Sequence, residues 1–160
     1  MHFRPGLVLL ATGAALLLPG AAAQAAFPGT NGLIAFERGG DIYTVTTDSA
    51  HTVSALPLVL GASEPAWSPD GTKLAFTQAG EIKVLTIGGS ISPALDTGAS
   101  APAWSPDGTM LASEKGSDIW VISSAGGAAR NLSNSGALAD DDDPAWSPGG
   151  TSIAFARTLA

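Results

Sequence analysis

Apolar and polar residues alternate along the chain in short stretches, separated by turns that are rich in glycine and proline. Residues 73–77, Lys-Leu-Ala-Phe-Thr, place Leu74 and Phe76 on one face. Residues 41–45, 81–85 and 118–122 each begin with an acidic residue and continue with apolar residues at alternate positions. Because successive side chains of a strand point to opposite faces, this period of two predicts short β-strands. The predicted fold class is all-β.

One motif repeats and sets the order of these strands. Pro-Ala-Trp-Ser-Pro-Asp-Gly stands at residues 65–71, returns at 102–108, and returns with Gly149 in place of aspartate at 144–150. Its first half suits a buried strand, and Ser-Pro-Asp-Gly suits a tight turn, because proline presets φ and glycine accepts a positive φ. A second strand, a third strand and a more polar outer strand follow each complete motif. Four short strands in about 40 residues are typical of propeller blades.

The repeats divide residues 26–160 into blades. We predict about three to four four-stranded antiparallel repeats: a partial blade at 31–60, blades at 64–98 and 100–133, and a partial blade at 143–157. The first unit lacks the tryptophan-bearing inner strand, and residues 52–60 are predicted to supply its outer strand. The last unit has an inner and a second strand. Because propellers close with four to eight blades, these repeats predict an incomplete ring.

The repeated motif, with an acidic-Ile-x-Val strand downstream, resembles the WD40-like propeller repeat of the TolB-like family. The opening Phe-Pro-Gly-Thr-Asn-Gly-Leu-Ile-Ala-Phe at residues 27–36 also resembles the start of exported TolB-like propellers. This resemblance implies a β-propeller that binds other proteins in the periplasm. The same blades occur in prolyl oligopeptidase-like peptidases, so the motif is specific for fold and leaves function open. Gly149 departs from the motif, and nothing resembles the separate N-terminal domain of TolB.

The first 25 residues have the pattern of a secretory signal peptide. Arg4 precedes an apolar run at residues 7–18, and Ala23-Gln24-Ala25 fits a small-x-small cleavage site. The alternative is an uncleaved membrane helix, but this apolar run is shorter than the roughly 18 residues that span a bilayer. We therefore expect cleavage after Ala25 and a periplasmic or secreted product with no membrane insertion afterwards.

Charge excludes several classes of partner. Removing residues 1–25 leaves six Lys and Arg against 14 Asp and Glu, a net charge of −8. Such a chain gains little by releasing counterions from phosphates, so we expect neither nucleic acid nor an anionic membrane as partner. The chain contains no cysteine, which excludes disulfides and a cysteine-linked lipid anchor.

The sequence shows no catalytic constellation. His51 is the one histidine after the predicted cleavage site, it lies in a Thr/Ser-rich turn, and no Gly-x-Ser-x-Gly occurs. We predict a non-enzymatic scaffold without a cofactor, which binds a protein partner or self-associates through loops 78–80, 115–117 and 135–143. The alternative is the N-terminal propeller part of a longer exported prolyl oligopeptidase-like peptidase, whose catalytic domain is absent from this sequence.

Two further groups are candidate sites. Asp140, Asp141, Asp142 and Asp143 are predicted to lie in the longest loop between blades, either as a solvated acidic loop or as a weak Ca²⁺ candidate, because calcium prefers several oxygen ligands. The motif tryptophans are predicted to fill the spaces between blades, with carbohydrate stacking as the alternative.

Overall fold

A computed structural model describes residues 32–159, so the predicted signal peptide lies outside the described residues. These residues form four antiparallel sheets, two of four strands and two of two strands. The strands are β1 Ile34–Arg38, β2 Asp41–Val45, β3 Ser63–Trp67, β4 Lys73–Gln78, β5 Glu81–Thr86, β6 Asp96–Thr97, β7 Ser100–Trp104, β8 Met110–Lys115, β9 Asp118–Ser123, β10 Arg130–Asn131, β11 Ala139–Trp146 and β12 Ile153–Leu159. Helical structure in this range is one 3₁₀ turn, Gly136–Leu138.

Each strand pairs with its neighbour in the chain. The second blade has the order β3-β4-β5-β6, and the third blade runs β7-β8-β9-β10 in the same sense. The first blade contains β1 and β2, and the fourth contains β11 and β12. The prediction of an all-β chain with four-stranded antiparallel repeats and an incomplete ring is confirmed.

The predicted outer strand of the first blade is not continuous. Within residues 52–60, single bridges join Val59 to Ile42 and Val53 to Val45. Pro57 lies between these bridges and has no N–H to donate, which prevents a regular ladder there. The outer strands of the two central blades are also short, at two residues each.

The core lies between blades. Leu74 and Phe76 of the second blade pack against Ile42 of the first, and Trp104 and Leu111 of the third pack against Ala75 and Ile82 of the second. Ala75 and Ala112 are fully buried, and their small side chains allow the next blade to approach closely. The equivalent Ala154 is exposed, because no further blade covers it among the described residues.

Each inner strand contains a bulge at the same position. The ladder shifts register between Ser63 and Ala66 in β3, and β7 and β11 shift at the equivalent sites. The residue before the motif proline has a positive φ in every copy: 52° at Glu64, 50° at Ala101 and 51° at Asp143. A left-handed backbone is rare for residues other than glycine, so the repeat itself imposes this conformation.

Candidate functional site at the acidic edge of the blades

The two edges of the blades use their carboxylates differently. The turn edge consists of the motif turns at residues 68–71, 105–108 and 147–150. There, Asp70 accepts hydrogen bonds from the Ser68 hydroxyl at 2.6 Å and from the Thr72 backbone N–H at 3.0 Å. These bonds lower the pKa of Asp70 to about 2. Asp107 repeats the arrangement with Ser105 and Thr109, and its pKa is also lowered. Carboxylates at the turn edge therefore stabilise their own turns.

The motif tryptophans connect successive blades. The Trp104 indole N–H donates to the backbone carbonyl of Ala66 at 3.0 Å, and Trp146 donates to the carbonyl of Ala103 at 3.1 Å. Trp104 is almost fully buried, so its ring is unavailable for stacking on a sugar. This geometry favours the structural interpretation of these tryptophans.

The turns between second and third strands bond the segments that lead into or begin the next blade, and they lie at the edge opposite the motif turns. The carbonyl of Gly40 accepts from Ala62 N–H at 3.0 Å, and that of Gly80 accepts from Gly98 N–H at 2.7 Å. Ser117 accepts from Asp141 N–H at 3.1 Å in the same way. The predicted partner loops 78–80 and 115–117 thus share one edge with the bulged parts of the inner strands.

The prediction that Asp140, Asp141, Asp142 and Asp143 lie in a loop is wrong. The first three are paired in β11, and Asp143 occupies its bulge. Asp141 is buried directly opposite Arg157, whose Nε and Nη2 donate to its carboxylate at 2.6 and 2.7 Å. These bonds lower the pKa of Asp141. The strand extends through the acidic run because this bidentate pair compensates the buried charge.

Other carboxylates of this edge form what we call the acidic edge: Glu64, Glu114, Asp140, Asp142 and Asp143. Burial is the largest cause that raises the pKa of Glu114. The charges of Asp142, Glu64, Asp143 and Asp140 raise it further, in that order. Glu64 bonds the Thr77 hydroxyl and the Ala101 N–H across the blade boundary. Within residues 32–159, the remaining carboxylates of the acidic edge accept no hydrogen bond and form no ion pair; these are Glu114, Asp140, Asp142 and Asp143. The acidic edge therefore holds negative charge that the fold does not neutralise.

Asp118 organises the adjoining loop. Its carboxylate accepts from the backbone N–H and the hydroxyl of Ser135, both at 2.7 Å, and from the Asn131 side chain at 2.7 Å. These bonds lower its pKa to about 2. Sequence reasoning missed the role of Asp118, although it begins the acidic-Ile-x-Val strand and could have been identified from that position.

The calcium hypothesis gains no support from the geometry. Among the described residues, no three His, Cys, Asp or Glu side chains are grouped so that they could hold a metal ion. Asp141 is occupied by Arg157, and Asp140 and Asp142 point to the opposite face of the strand from Asp141. His51 lies exposed in a turn where its backbone N–H donates to Asp48. No helix within the described part of the chain is long and apolar enough to span a bilayer.

An apolar groove of about 560 Å³ separates the third and fourth blades. Its lining includes Ile119, Val121, Trp146, Ile153 and Phe155. In the two earlier interfaces, a residue from the third strand of the later blade completes the core. This residue is Leu85 between the first and second blades and Ile122 between the second and third. The fourth blade has no third strand among the described residues, so the groove marks where one would pack.

Solved structures share this arrangement. A protein assigned as TolB from Agrobacterium tumefaciens superposes with a TM-score of 0.65 at 20% identity, covering 78% of this chain and 49% of that one. The repeats are β-propeller blades. TolB from Acinetobacter baumannii matches with a TM-score of 0.60 at 20% identity, over 75% of this chain and 32% of its own. A chain of a nidogen–laminin complex matches with a TM-score of 0.62 at 14% identity, over 77% and 52%.

At this level of identity, the likeness establishes the fold alone. The chain spans about a third to a half of the length of these propellers. No protein-family model and no curated protein matches the sequence.

Proposed function

We propose that this chain is an exported, non-catalytic β-propeller scaffold whose acidic edge binds a basic segment of a protein partner. The observation that carries the proposal is the convergence of carboxylates from three blades at an edge where four of the five have no hydrogen-bond or ion-pair partner in the described structure. Such a surface attracts and orients lysine- or arginine-rich segments, because opposite charges speed the encounter and fix the position of the bound segment on the surface.

The structural neighbours support a scaffold role. One of them is a component of a complex between two proteins, nidogen and laminin, and two others are TolB proteins. Binding through blade edges needs no catalytic residue, only side chains and turns held rigidly by the blades. No observation favours the peptidase alternative.

Export is part of the same proposal. The signal-peptide pattern at residues 1–25 supports it, and a cysteine-free chain folds without help from disulfides after export. Mass spectrometry of the exported product should show a chain that begins at Ala26. A mass that retains residues 1–25 would contradict this part of the proposal.

A labelled lysine-rich peptide tests the acidic edge directly. Its fluorescence anisotropy should report binding to the exported chain at low salt, weakening as salt screens the charges. Each exposed charge contributes roughly 0.2–1 kcal/mol, so Asp142→Asn with Asp143→Asn should weaken binding by about two- to thirtyfold.

Glu37→Gln is the matched control, because Glu37 occupies the position of Glu114 in the first blade and lies two blades away. It should change the affinity much less than the double variant. Equal losses for the two variants would indicate unspecific attraction to an acidic protein and would overturn the proposed site.

A further inference from the structure

Three buried polar atoms between the second and third blades have no hydrogen-bond partner among the protein groups. They are Asp96 Oδ2, Ser113 Oγ and Trp120 Nε1. Asp96 lies in the outer strand of the second blade, and the other two residues lie in the third blade. Within residues 32–159, one further buried side-chain polar atom also lacks a partner, the Nε1 of Trp67. Because buried polar groups in folded proteins almost always have partners, three such atoms in one interface require an explanation.

The three side chains lie in one region of this interface. Ser113 and Trp120 stand directly opposite each other in β8 and β9. Ser113 alternates with Leu111 and Lys115 along β8, and Leu111 packs in the core shared with the second blade, so this face points towards that blade. Lys115 connects the group to Asp96, because its Nζ donates to Asp96 Oδ1 at 2.6 Å and lies 5.4 Å from the centre of the Trp120 ring. Polar groups from both blades therefore converge here.

The interface between the first and second blades is apolar at the same position. Phe76 occupies there the place that Ser113 takes in the third blade, and the first and fourth blades also have phenylalanine at this position. Val59 takes the place of Asp96, since each stands opposite the equivalent isoleucine of the third strand. Phe76 and Val59 are buried in one apolar cluster. The second interface thus replaces an aromatic ring with a hydroxyl and an isopropyl group with a carboxylate at a single contact.

The three unpartnered atoms complement one another without being bonded directly. The Trp120 indole N–H can only donate, the Asp96 carboxylate can only accept, and the Ser113 hydroxyl can do both. Complementary groups that lie beyond hydrogen-bond distance are commonly joined by a water molecule, and an internal water needs two to four polar partners. The Lys115 ammonium already compensates the charge of Asp96, which favours a neutral ligand over a metal ion.

We propose that the interface between the second and third blades contains a binding site for an internal water molecule. The water accepts from the Trp120 indole N–H, donates to Asp96 Oδ2 and bonds the Ser113 hydroxyl. Because all three atoms are buried, the site is closed to the bulk solvent and excludes larger polar molecules. The two blades are then joined through hydrogen bonds at the position where Phe76 and Val59 join the first and second blades by apolar contact.

Nuclear Overhauser spectroscopy of the exported chain tests this site. The Trp120 indole N–H should show a cross-peak at the water frequency, with the sign of a bound water and not of a freely diffusing one. Trp104 is the internal control, because its N–H donates to the Ala66 carbonyl and should show no such cross-peak. Trp120→Phe assigns the resonance. A Trp120 signal without the cross-peak would overturn the proposal.

Two substitutions at Ser113 separate a bound water from the serine hydroxyl, since an exchanging hydroxyl proton gives a signal at the same frequency. Ser113→Ala removes the hydroxyl and leaves the space, so the cross-peak should remain. Ser113→Val also removes the hydroxyl but places methyl groups in that space, so the cross-peak should be lost. Circular dichroism and an unchanged Trp104 resonance verify that both variants fold. Loss in both variants would show that the hydroxyl was the source, and persistence in both would place the water elsewhere; either result contradicts the proposed site.

A high-resolution crystal structure of the unsubstituted chain gives a second readout that needs no variant. A water oxygen should lie within hydrogen-bond distance of both Trp120 Nε1 and Asp96 Oδ2, with none between Phe76 and Val59. A direct bond from the Trp120 indole N–H to Asp96 or Ser113 would show that the protein satisfies these groups itself and would rule the site out.

Discussion

At the scale of single residues, the third motif turn lacks the carboxylate that stabilises the first two. Gly149 stands where Asp70 and Asp107 accept hydrogen bonds from a serine hydroxyl and a threonine N–H. Ser147 and Thr151 are both present, and a Cβ added at Gly149 would meet no atom within 4 Å. The donors are therefore in place without their acceptor.

Gly149→Asp should stabilise the chain. The new carboxylate would accept from Ser147 and Thr151, which should raise the free energy of unfolding by about 1 kcal/mol. Urea denaturation monitored by circular dichroism measures the change. Gly149→Ala is the control, because it shares the loss of glycine flexibility but adds no acceptor. An aspartate variant no more stable than the alanine variant would contradict this account of the turn.

The same carboxylates should make the protein sensitive to acid. Asp70 and Asp118 have pKa values of about 2 in the folded chain, below their ordinary value of 3.8. A depressed pKa contributes stability that is present above about pH 4 and is lost as the pH falls towards 2. Glu114 opposes this trend, since burial and then the neighbouring carboxylates raise its pKa, so its protonation at low pH favours the folded chain.

Urea midpoints at pH 7, 5, 4 and 3 should thus change little down to pH 5 and then fall. Asp118→Asn should lower the urea midpoint at pH 7 and should make its decrease below pH 5 smaller. A wild-type midpoint that is constant down to pH 3 would mean that these hydrogen bonds add no net stability.

Trp104 should be the most costly tryptophan position to truncate. Its ring is buried between the second and third blades, and its N–H bonds Ala66. Trp104→Ala should lower the free energy of unfolding by about 3–5 kcal/mol, and Trp104→Phe should cost less because much of the ring volume remains. A loss below about 1 kcal/mol for the alanine variant would show that Trp104 is not part of the core.

At the scale of elements, every inner strand contains a residue in a left-handed conformation. Ala101 has a φ of 50°, and its methyl side chain cannot form a hydrogen bond that would offset the steric cost of this conformation. Ala101→Gly should be neutral or stabilising by up to about 1 kcal/mol, because glycine removes the steric cost and its greater flexibility when unfolded partly offsets the gain. Ala101→Val should destabilise. Denaturant midpoints measure both, and a glycine variant less stable than the wild type would argue against strain at the bulge.

The fourth blade depends on one charge pair. Arg157→Leu leaves the buried Asp141 carboxylate without its partner and should lower the thermal midpoint clearly, whereas the double variant with Asp141→Asn should recover part of the loss. Thermal melts of the wild type, of each single variant and of the double variant form a cycle that isolates the coupling. Additive effects would mean that the pair contributes nothing beyond its two separate side chains.

Local sequence patterns predicted most of the strands but not the acidic strand. The second and third strands of each central blade follow from alternation and from glycine-rich turns, which act over a few residues. The first part of β11, residues 139–142, could not be predicted in this way, because four adjacent carboxylates indicate a solvated loop by charge alone. What keeps Asp141 in a strand is Arg157, 16 residues later, whose contact depends on the ladder register. The acidic edge was missed for the same reason, since its members come from three blades.

At the scale of the whole molecule, the blade stack ends on surfaces that a closed ring would cover. Phe155 and Leu159 are exposed on β12, and Phe155 also lines the apolar groove. Unpaired strand edges and apolar faces favour association with another chain. Two chains of three-plus repeats would supply about the number of blades that closes a ring.

We therefore expect the exported chain to self-associate. Light scattering after size exclusion should give the mass of a folded dimer, with circular dichroism of the same fractions showing β-structure. Phe155→Ser, on the open face of the groove, should shift the equilibrium towards monomer, whereas Leu56→Ser, an exposed apolar residue in the first blade, should not. A folded monomer at high concentration would contradict this prediction.

The bonds from Trp104 and Trp146 to the preceding blade have a consequence for how such chains change length. Donor and acceptor belong to one Ala-Trp dipeptide: the alanine carbonyl serves the blade that follows, and the indole N–H serves the blade that comes before. A duplicated blade would carry both halves of its own connection. Copies could then be inserted or lost without new residues arising at the junctions, so the number of blades is free to change by simple recombination while the contact between them stays the same.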